Sequence, residues 1–182
     1  MLAGVDYGPN AYPLPFAYPD RLVPESPSPA AARRKDLFWA GKWVFGLRPL
    51  YLRRLQEVLR RALEEAPYTQ EAYRRELLQS RAGVSLFGFG FDTVRYWELP
   101  AHGCLLIAER PLIRIPHNFE DGVTALFFDD LPELEGRLEW VRRNPAEAEV
   151  IARAGRDHFL QYHGASARAR QFLGRLEQIL SW

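Results

Sequence analysis

A glycine-punctuated segment followed by charged side chains is the part of this chain whose residue types and spacing could do chemistry. In SLFGFGFDTVRYWELPAHG, residues 85–103, a short apolar run leads into two glycines, and we expect a helix to begin at the cap-type pair Asp92-Thr93. The helix would carry Arg95 in its first turn. Backbone N–H groups, the positive end of a helix dipole and a guanidinium would then meet at one point, which suits a diphosphate.

Glu98 lies further along the same predicted helix, six residues beyond Asp92. At that depth its carboxylate could receive a group attached to the diphosphate, such as a ribose. The same carboxylate could instead pair with Arg95 or Arg110 in a structural network, and the residues alone leave both readings open.

The elements that must position these residues follow from short apolar runs alternating with helical patterns. Four strands are predicted, at residues 37–40, 84–87, 104–108 and 124–128. Helices are predicted at residues 49–65, at 70–79 with Thr69 as cap, after the capping boxes Asp130/Glu133 and Asn144/Glu147, and at 165–180. Strands that alternate with helices indicate an α/β fold, a Rossmann-like parallel sheet with helices on both faces.

Two strand-to-helix loops, residues 41–48 and 88–93, should carry the ligand site, because ligands of such sheets bind beyond the carboxyl ends of the strands. Six residues of these loops and of the helix start are the candidate contacts: Lys42, Arg48, Gly90, Phe91, Thr93 and Arg95. Each cation could equally be solvated, and the glycines could serve only the turn.

No cofactor or metal is expected for this chemistry. Electrostatic stabilisation of a departing diphosphate can carry a transfer reaction without a metal. The sequence contains no Asp-x-Asp pair, and Asp129-Asp130 are adjacent residues that precede a capped helix.

Composition indicates a globular, intracellular protein. Of the 182 residues 47% are apolar, the net charge is +1, and Cys104 is the single cysteine. The balanced charge argues against nucleic acid as the main partner, and one cysteine excludes an internal disulfide. No apolar run approaches the ~20 residues of a membrane span, so we expect a cytoplasmic protein.

Proline usage divides the chain in two. Residues 1–34 hold seven of the fourteen prolines and several aromatic side chains, and they predict an extended linker. Residues 35–182 are expected to form the nucleotide-binding domain, with helices at its carboxy terminus.

Three segments in succession resemble a known family. FGFDTVRYWELPAHGCLLIAERP, then IPHNFEDGVTALFFDD, then LEWVRRNPAEAEVIARAGRDHFLQYH are similar to the carboxy-terminal, donor-binding half of group 1 glycosyltransferases, in the branch similar to spore-maturation protein B. The resemblance covers roughly residues 35–175. In the wider superfamily two glutamates stand eight positions apart, and the second contacts the ribose of the donor. Glu98 matches the second, whereas the first position is occupied by Gly90.

The resemblance implies the donor-binding domain of a retaining GT-B glycosyltransferase that transfers a hexose from a UDP- or GDP-sugar. The acceptor domain of that family would lie across a cleft, on a longer form of this chain or on a second chain. The chain alone is therefore expected to bind nucleotide but not to turn over, and no catalytic residue is assigned.

Two other functions were weighed. A non-catalytic association module that keeps the fold and forms a dimer or binds a partner is favoured by the missing glutamate at Gly90. A dehydrogenase or epimerase is disfavoured, because the first strand and turn, FWAGKWVFGL, lack the G-x-G-x-x-G fingerprint.

Overall fold

The fold is built from four strands and six α-helices, as found in a computed structural model that describes residues 1–9, 11–29, 32–60, 63 and 69–180. The strands are β1 (Lys35–Phe38), β2 (Ser80–Ser85), β3 (Leu105–Glu109) and β4 (Leu126–Phe128). The helices are α1 (Arg48–Leu59), α2 (Gln70–Leu78), α3 (Val94–Ala101), α4 (Leu131–Arg143), α5 (Pro145–Tyr162) and α6 (Ala165–Leu180). Among the described helices, none combines the length and the apolar character needed to cross a bilayer.

The four strands form one parallel sheet in the order β1-β2-β3-β4. Leu37 pairs with Ala82, and Ile107 joins β2 and β4 by pairing with Val84 on one side and Leu126 on the other. Parallel strands require crossover connections, and α1 with α2 and then α3 supply the first two. The predicted α/β, Rossmann-like fold is confirmed.

Both faces of the sheet are buried, because alternate side chains along each strand point to opposite sides. Leu37 and Ile107 pack on one face with residues of α1 and α4, whereas Phe38 and Leu106 pack on the other with residues of α2 and α3. The long helix α5 contributes to both cores. The two apolar layers hold the carboxyl ends of the strands at one rigid edge.

The second strand differs from its predicted position at 84–87. It begins at Ser80, whose buried hydroxyl donates to the carbonyl of Glu76 at 2.8 Å, so a polar residue is accommodated at the start of a buried strand. It ends at Ser85 because the N–H of Phe87 turns away from the ladder and donates to the carboxylate of Glu109. The prediction relied on apolar content alone and therefore placed the start of this strand too far along the sequence.

One predicted helix end and one predicted helix cap were wrong for local reasons, although α5 begins at Pro145 as predicted. Helix α1 ends at Leu59, and Arg60 takes a left-handed conformation at φ 50° that closes it; residues 61–62 and 64–65 of the predicted helix lie outside the described residues. Asn144 does not cap α5 with its side chain, because its amide donates instead to the carbonyl of Trp140 at 2.8 Å and closes α4. Asp130 and Thr69 do cap α4 and α2 as predicted.

Residues from the proline-rich stretch 1–34 lie along the α/β core. Leu2 forms an antiparallel bridge with Ile113, and the buried Tyr18 accepts a hydrogen bond at its carbonyl from the N–H of Ala165 at 3.0 Å. The buried guanidinium of Arg33 donates to the carbonyls of Ser80 and His102. This stretch therefore runs from the carboxyl edge of the sheet around the helices to β1.

Two buried histidines make the stability of the fold depend on pH. Burial lowers the pKa of His102 to about 4 and that of His163 to about 3. Both are neutral in the folded protein, whereas the unfolded chain binds their protons below pH 6.5, so acid favours unfolding. Between pH 6.5 and 5 we expect each to lower the free energy of unfolding by roughly 2 kcal/mol.

Urea unfolding at pH 7 and pH 5 measures this loss. The difference between the two pH values should shrink by roughly 2 kcal/mol in His163→Gln and stay unchanged in the control Arg53→Gln, which replaces an exposed side chain of α1. An undiminished difference in His163→Gln would show that other groups cause the acid sensitivity.

Candidate functional site

A cavity of about 510 Å³ lies at the carboxyl edge of the sheet, where the two predicted loops meet. The loop between β1 and α1 contributes Phe45 and Arg48, and the loop between β2 and α3 contributes residues 88–93. Phe16 and Ile113 complete the wall from the segments that precede β1 and follow β3. Four of the candidate residues named from the sequence line this cavity: Arg48, Gly90, Phe91 and Thr93.

Arg48 is a buried cation at the wall of the cavity, only 8% exposed although it begins α1. Its Nη1 donates to the carbonyl of Lys42 at 3.1 Å and its Nη2 to the carbonyl of Leu86 at 3.0 Å, so it links the two loops. Its Nε is buried and has no hydrogen-bond partner among the described residues. Burial, with the nearby charge of Arg95, lowers the pKa of this guanidinium, and the carboxylate of Glu109 opposes that shift only in part.

The start of α3 leaves its first N–H groups beside the cavity without a side-chain cap. Thr93 stands at the cap position, but its Oγ1 lies 2.9 Å from the Oγ of Ser85 and does not reach the helix. The expectation that Thr93 caps α3 with its side chain was therefore wrong. Gly88 donates to the carbonyl of Gly90 at 3.1 Å, and this tight turn brings the backbone to the cavity. An uncapped helix start favours an anion.

Asp92 is occupied by two hydrogen bonds. Its carboxylate accepts from the N–H of Phe16 at 2.7 Å and from the Nε1 of Trp97 at 2.8 Å. These bonds hold residue 16 against the cavity and give the carboxylate a structural role, although Asp92 also lines the cavity and its charge would repel an anion placed beside it.

Arg95 and Lys42 lie near the same edge but do not line the cavity. The guanidinium of Arg95 lies 5.5 Å from the ring centre of Trp39, and a Cβ added at Gly41 would stand 3.4 Å from its Nη2. The side chain of Lys42 is exposed. With Arg48, these residues place three cations near an edge that also carries the carboxylates of Asp92 and Glu109.

Glu98 faces α2 and not the cavity. Its Oε2 accepts from the hydroxyl of Tyr73 at 2.6 Å, and burial raises the pKa of the carboxyl while Tyr73 and Arg95 oppose that shift. The structure thus places Glu98 in a half-buried group with Tyr73, on the side of α3 away from the cavity's aromatic wall. Arg110, the other partner considered for it, pairs instead with Asp129 at 2.9 Å.

Glu109 is a charged residue at this edge that the sequence reasoning missed. It ends β3, its carboxylate accepts from the N–H of Phe87, and burial raises its pKa while Arg48 lowers it. Its position as the last residue of an apolar strand run was a usable signal, because the carboxyl ends of strands carry the ligand site. Phe16, Phe45 and Phe89 were missed as well, since single phenylalanines in loops carry no local motif.

Comparisons with known proteins agree with the fold. A family profile described as glycosyl transferase-like matches residues 56–174, which is more than half of the chain. No curated protein matches the sequence of this chain.

Proposed function

Because the chain belongs to the glycosyl transferase-like family, we propose that it binds the diphosphate of a nucleotide-sugar at the cavity between residues 41–48 and 88–93. It would act as the donor-binding domain of a retaining GT-B glycosyltransferase, in the branch similar to spore-maturation protein B. The observation that carries the proposal is Arg48, a buried guanidinium without a carboxylate bonded to it, set against an uncapped helix start.

The electrostatics of the edge support a ligand with two phosphates. A buried charge is costly unless it is paired, so an anion that enters the cavity would offset the desolvation of Arg48. The first N–H groups of α3 add the positive end of a helix dipole, and Lys42 and Arg95 contribute longer-range attraction. The same groups would stabilise the charge released when the sugar leaves, with no metal required for that step.

The acceptor side of the reaction would come from outside this domain. The cavity opens at the edge of a single α/β unit, and the one carboxylate in its described wall, that of Asp92, already accepts hydrogen bonds from the protein. We propose that a second domain, on a longer form of the chain or on another chain, completes the site, and that residues 1–182 alone bind the donor without transferring its sugar.

A thermal-shift panel tests the donor site. UDP, GDP, TDP and ADP, with their common sugars, are added to the protein at increasing concentration. A ligand present at about 100 times its dissociation constant stabilises by about 2.7 kcal/mol, which should raise the midpoint by roughly 5 to 10 °C for a chain of this size. One nucleotide should give such a shift, and Arg48→Lys should reduce it. No shift with any nucleotide would contradict the proposal.

A second candidate is an association module, favoured by apolar side chains exposed near the cavity. Val44 is 71% and Leu47 is 62% exposed in the loop that leads to Arg48. In this case the chain should show no nucleotide-induced shift but should form a dimer in sedimentation velocity, and Leu47→Asp should dissociate it.

A further inference from the structure

Phe89 is the most exposed large apolar residue among those described, with 97% of its surface accessible. It stands between Gly88 and Gly90 at the tip of the β2–α3 loop and lines the cavity. Leaving a phenylalanine in water forgoes the gain of roughly 1.5–3 kcal/mol that burial of such a side chain provides. The neighbouring Phe91 is 39% exposed and packs edge-on against Phe87 with 5.0 Å between ring centres, so far more of the Phe89 ring is left in water.

Phe45 faces Phe89 across the mouth of the cavity. The ring centres are 6.4 Å apart and the ring planes lie at 83° to each other. A flat ring placed between two parallel phenyl rings needs about 3.5 Å on either side, or roughly 7 Å between them. Turning Phe89 parallel to Phe45 would therefore create a slot of nearly the right width, and the two flanking glycines leave its backbone free to adjust.

We propose that Phe89 and Phe45 hold a flat ring of the ligand whose diphosphate is bound at Arg48, an inference that rests on the proposed function. The ring chemistry that fits is a face of aromatic carbon or of C–H groups, linked to the diphosphate either through a ribose or directly. The nucleobase and the transferred sugar both present such a face. Phe89 is thus a ligand-contacting residue, and Arg48, which lines the same cavity and lies 5.6 Å from the ring centre of Phe45, connects the ring slot to the phosphate site.

Calorimetric titration with three ligands separates ring binding from phosphate binding. The ligands are inorganic pyrophosphate, the nucleoside diphosphate that gives the largest shift in the panel, and the corresponding nucleotide-sugar. Each is titrated into the wild-type protein, Phe89→Ala, Phe89→Tyr and the control Phe172→Ala, which removes a half-exposed phenylalanine from α6. A stacked ring is worth enough that Phe89→Ala should weaken a ring-bearing ligand by about tenfold or more.

The pattern of losses identifies the ring. Pyrophosphate should bind Phe89→Ala and wild type equally, Phe89→Tyr should keep the wild-type affinities, and Phe172→Ala should change none. If Phe89→Ala weakens binding of the nucleoside diphosphate, the slot between Phe89 and Phe45 holds the base. If it weakens binding of the nucleotide-sugar only, the slot holds the sugar. Equal affinities of Phe89→Ala and wild type for all three ligands would overturn the role of Phe89 in ring binding but would leave the diphosphate site unaffected. Failure of the wild-type protein to bind any of them would reject the donor site itself, and the slot with it.

Discussion

Replacing Arg48 by methionine should weaken binding of the nucleoside diphosphate by about 100-fold. Hydrogen bonds to charged groups contribute about 1.5–3 kcal/mol each. The buried guanidinium at the cavity wall has one donor, Nε, that makes no hydrogen bond among the described residues. The same substitution removes the donors of the Lys42 and Leu86 carbonyls, so we also expect a loss of about 2 kcal/mol in the free energy of unfolding. Calorimetry and urea unfolding measure the two effects separately.

The matched control for this experiment lies on the same helix. Arg53 is an exposed arginine of α1, and Arg53→Met should change stability by no more than about 0.5 kcal/mol and leave affinity unaltered. Arg48→Lys keeps the positive charge but loses the planar guanidinium that donates to two carbonyls. Its affinity for the nucleoside diphosphate and its stability should therefore lie between those of wild type and Arg48→Met. A folded Arg48→Met that binds as tightly as wild type would mean that Arg48 only ties the loops together.

Replacing Gly155 by alanine should destabilise the fold by about 3 kcal/mol. A Cβ at this position of α5 would stand 2.3 Å from the backbone oxygen of Thr124, far inside contact distance, and a backbone atom cannot rotate away as a side chain can. The helix must then move off the segment that precedes β4, and overpacking of this kind costs up to about 3 kcal/mol. The thermal midpoint should fall by roughly 6 to 12 °C.

Gly174 provides the comparison for Gly155. It lies within α6, and no heavy atom stands within 4 Å of a Cβ built there. Gly174→Ala should therefore raise the free energy of unfolding by about 0.5–1 kcal/mol, the ordinary gain of alanine over glycine in a helix. Equal effects of the two substitutions would show that the close approach at Gly155 relaxes without cost.

The fold was predictable where the pattern is local. Apolar runs and caps such as Asp130 and Thr69 mark strands and helix starts within a few residues, and their alternation identified the parallel α/β sheet. The extension of β2 back to Ser80 was not predictable, because a serine in a buried strand depends on the carbonyl of Glu76 that accepts a hydrogen bond from its hydroxyl. The end of α1 at Arg60 likewise depends on a left-handed conformation that arginine rarely adopts.

The candidate site was predictable as two loops but not in its side-chain contacts. Strand ends identified residues 41–48 and 88–93, and both loops line the cavity. The burial of Arg48 depends on the carbonyl of Leu86, which is 38 residues away, and a loop arginine in the sequence resembles any solvated cation. Glu98 likewise accepts a hydrogen bond from Tyr73, which lies on a different helix, and no spacing within residues 85–103 could indicate that partner.

The central claim, that a diphosphate binds at this edge of the sheet, is tested most directly by amide chemical shifts. A ¹H–¹⁵N spectrum recorded during titration with pyrophosphate and then with the preferred nucleoside diphosphate reports on each backbone N–H. The largest shifts should occur at Gly88, Gly90 and the first turn of α3, together with the side-chain Nε–H of Arg48, while the amide of Gly174 in α6 should not shift. Shifts confined to residues away from the two loops, or no shifts at saturating ligand, would contradict the claim.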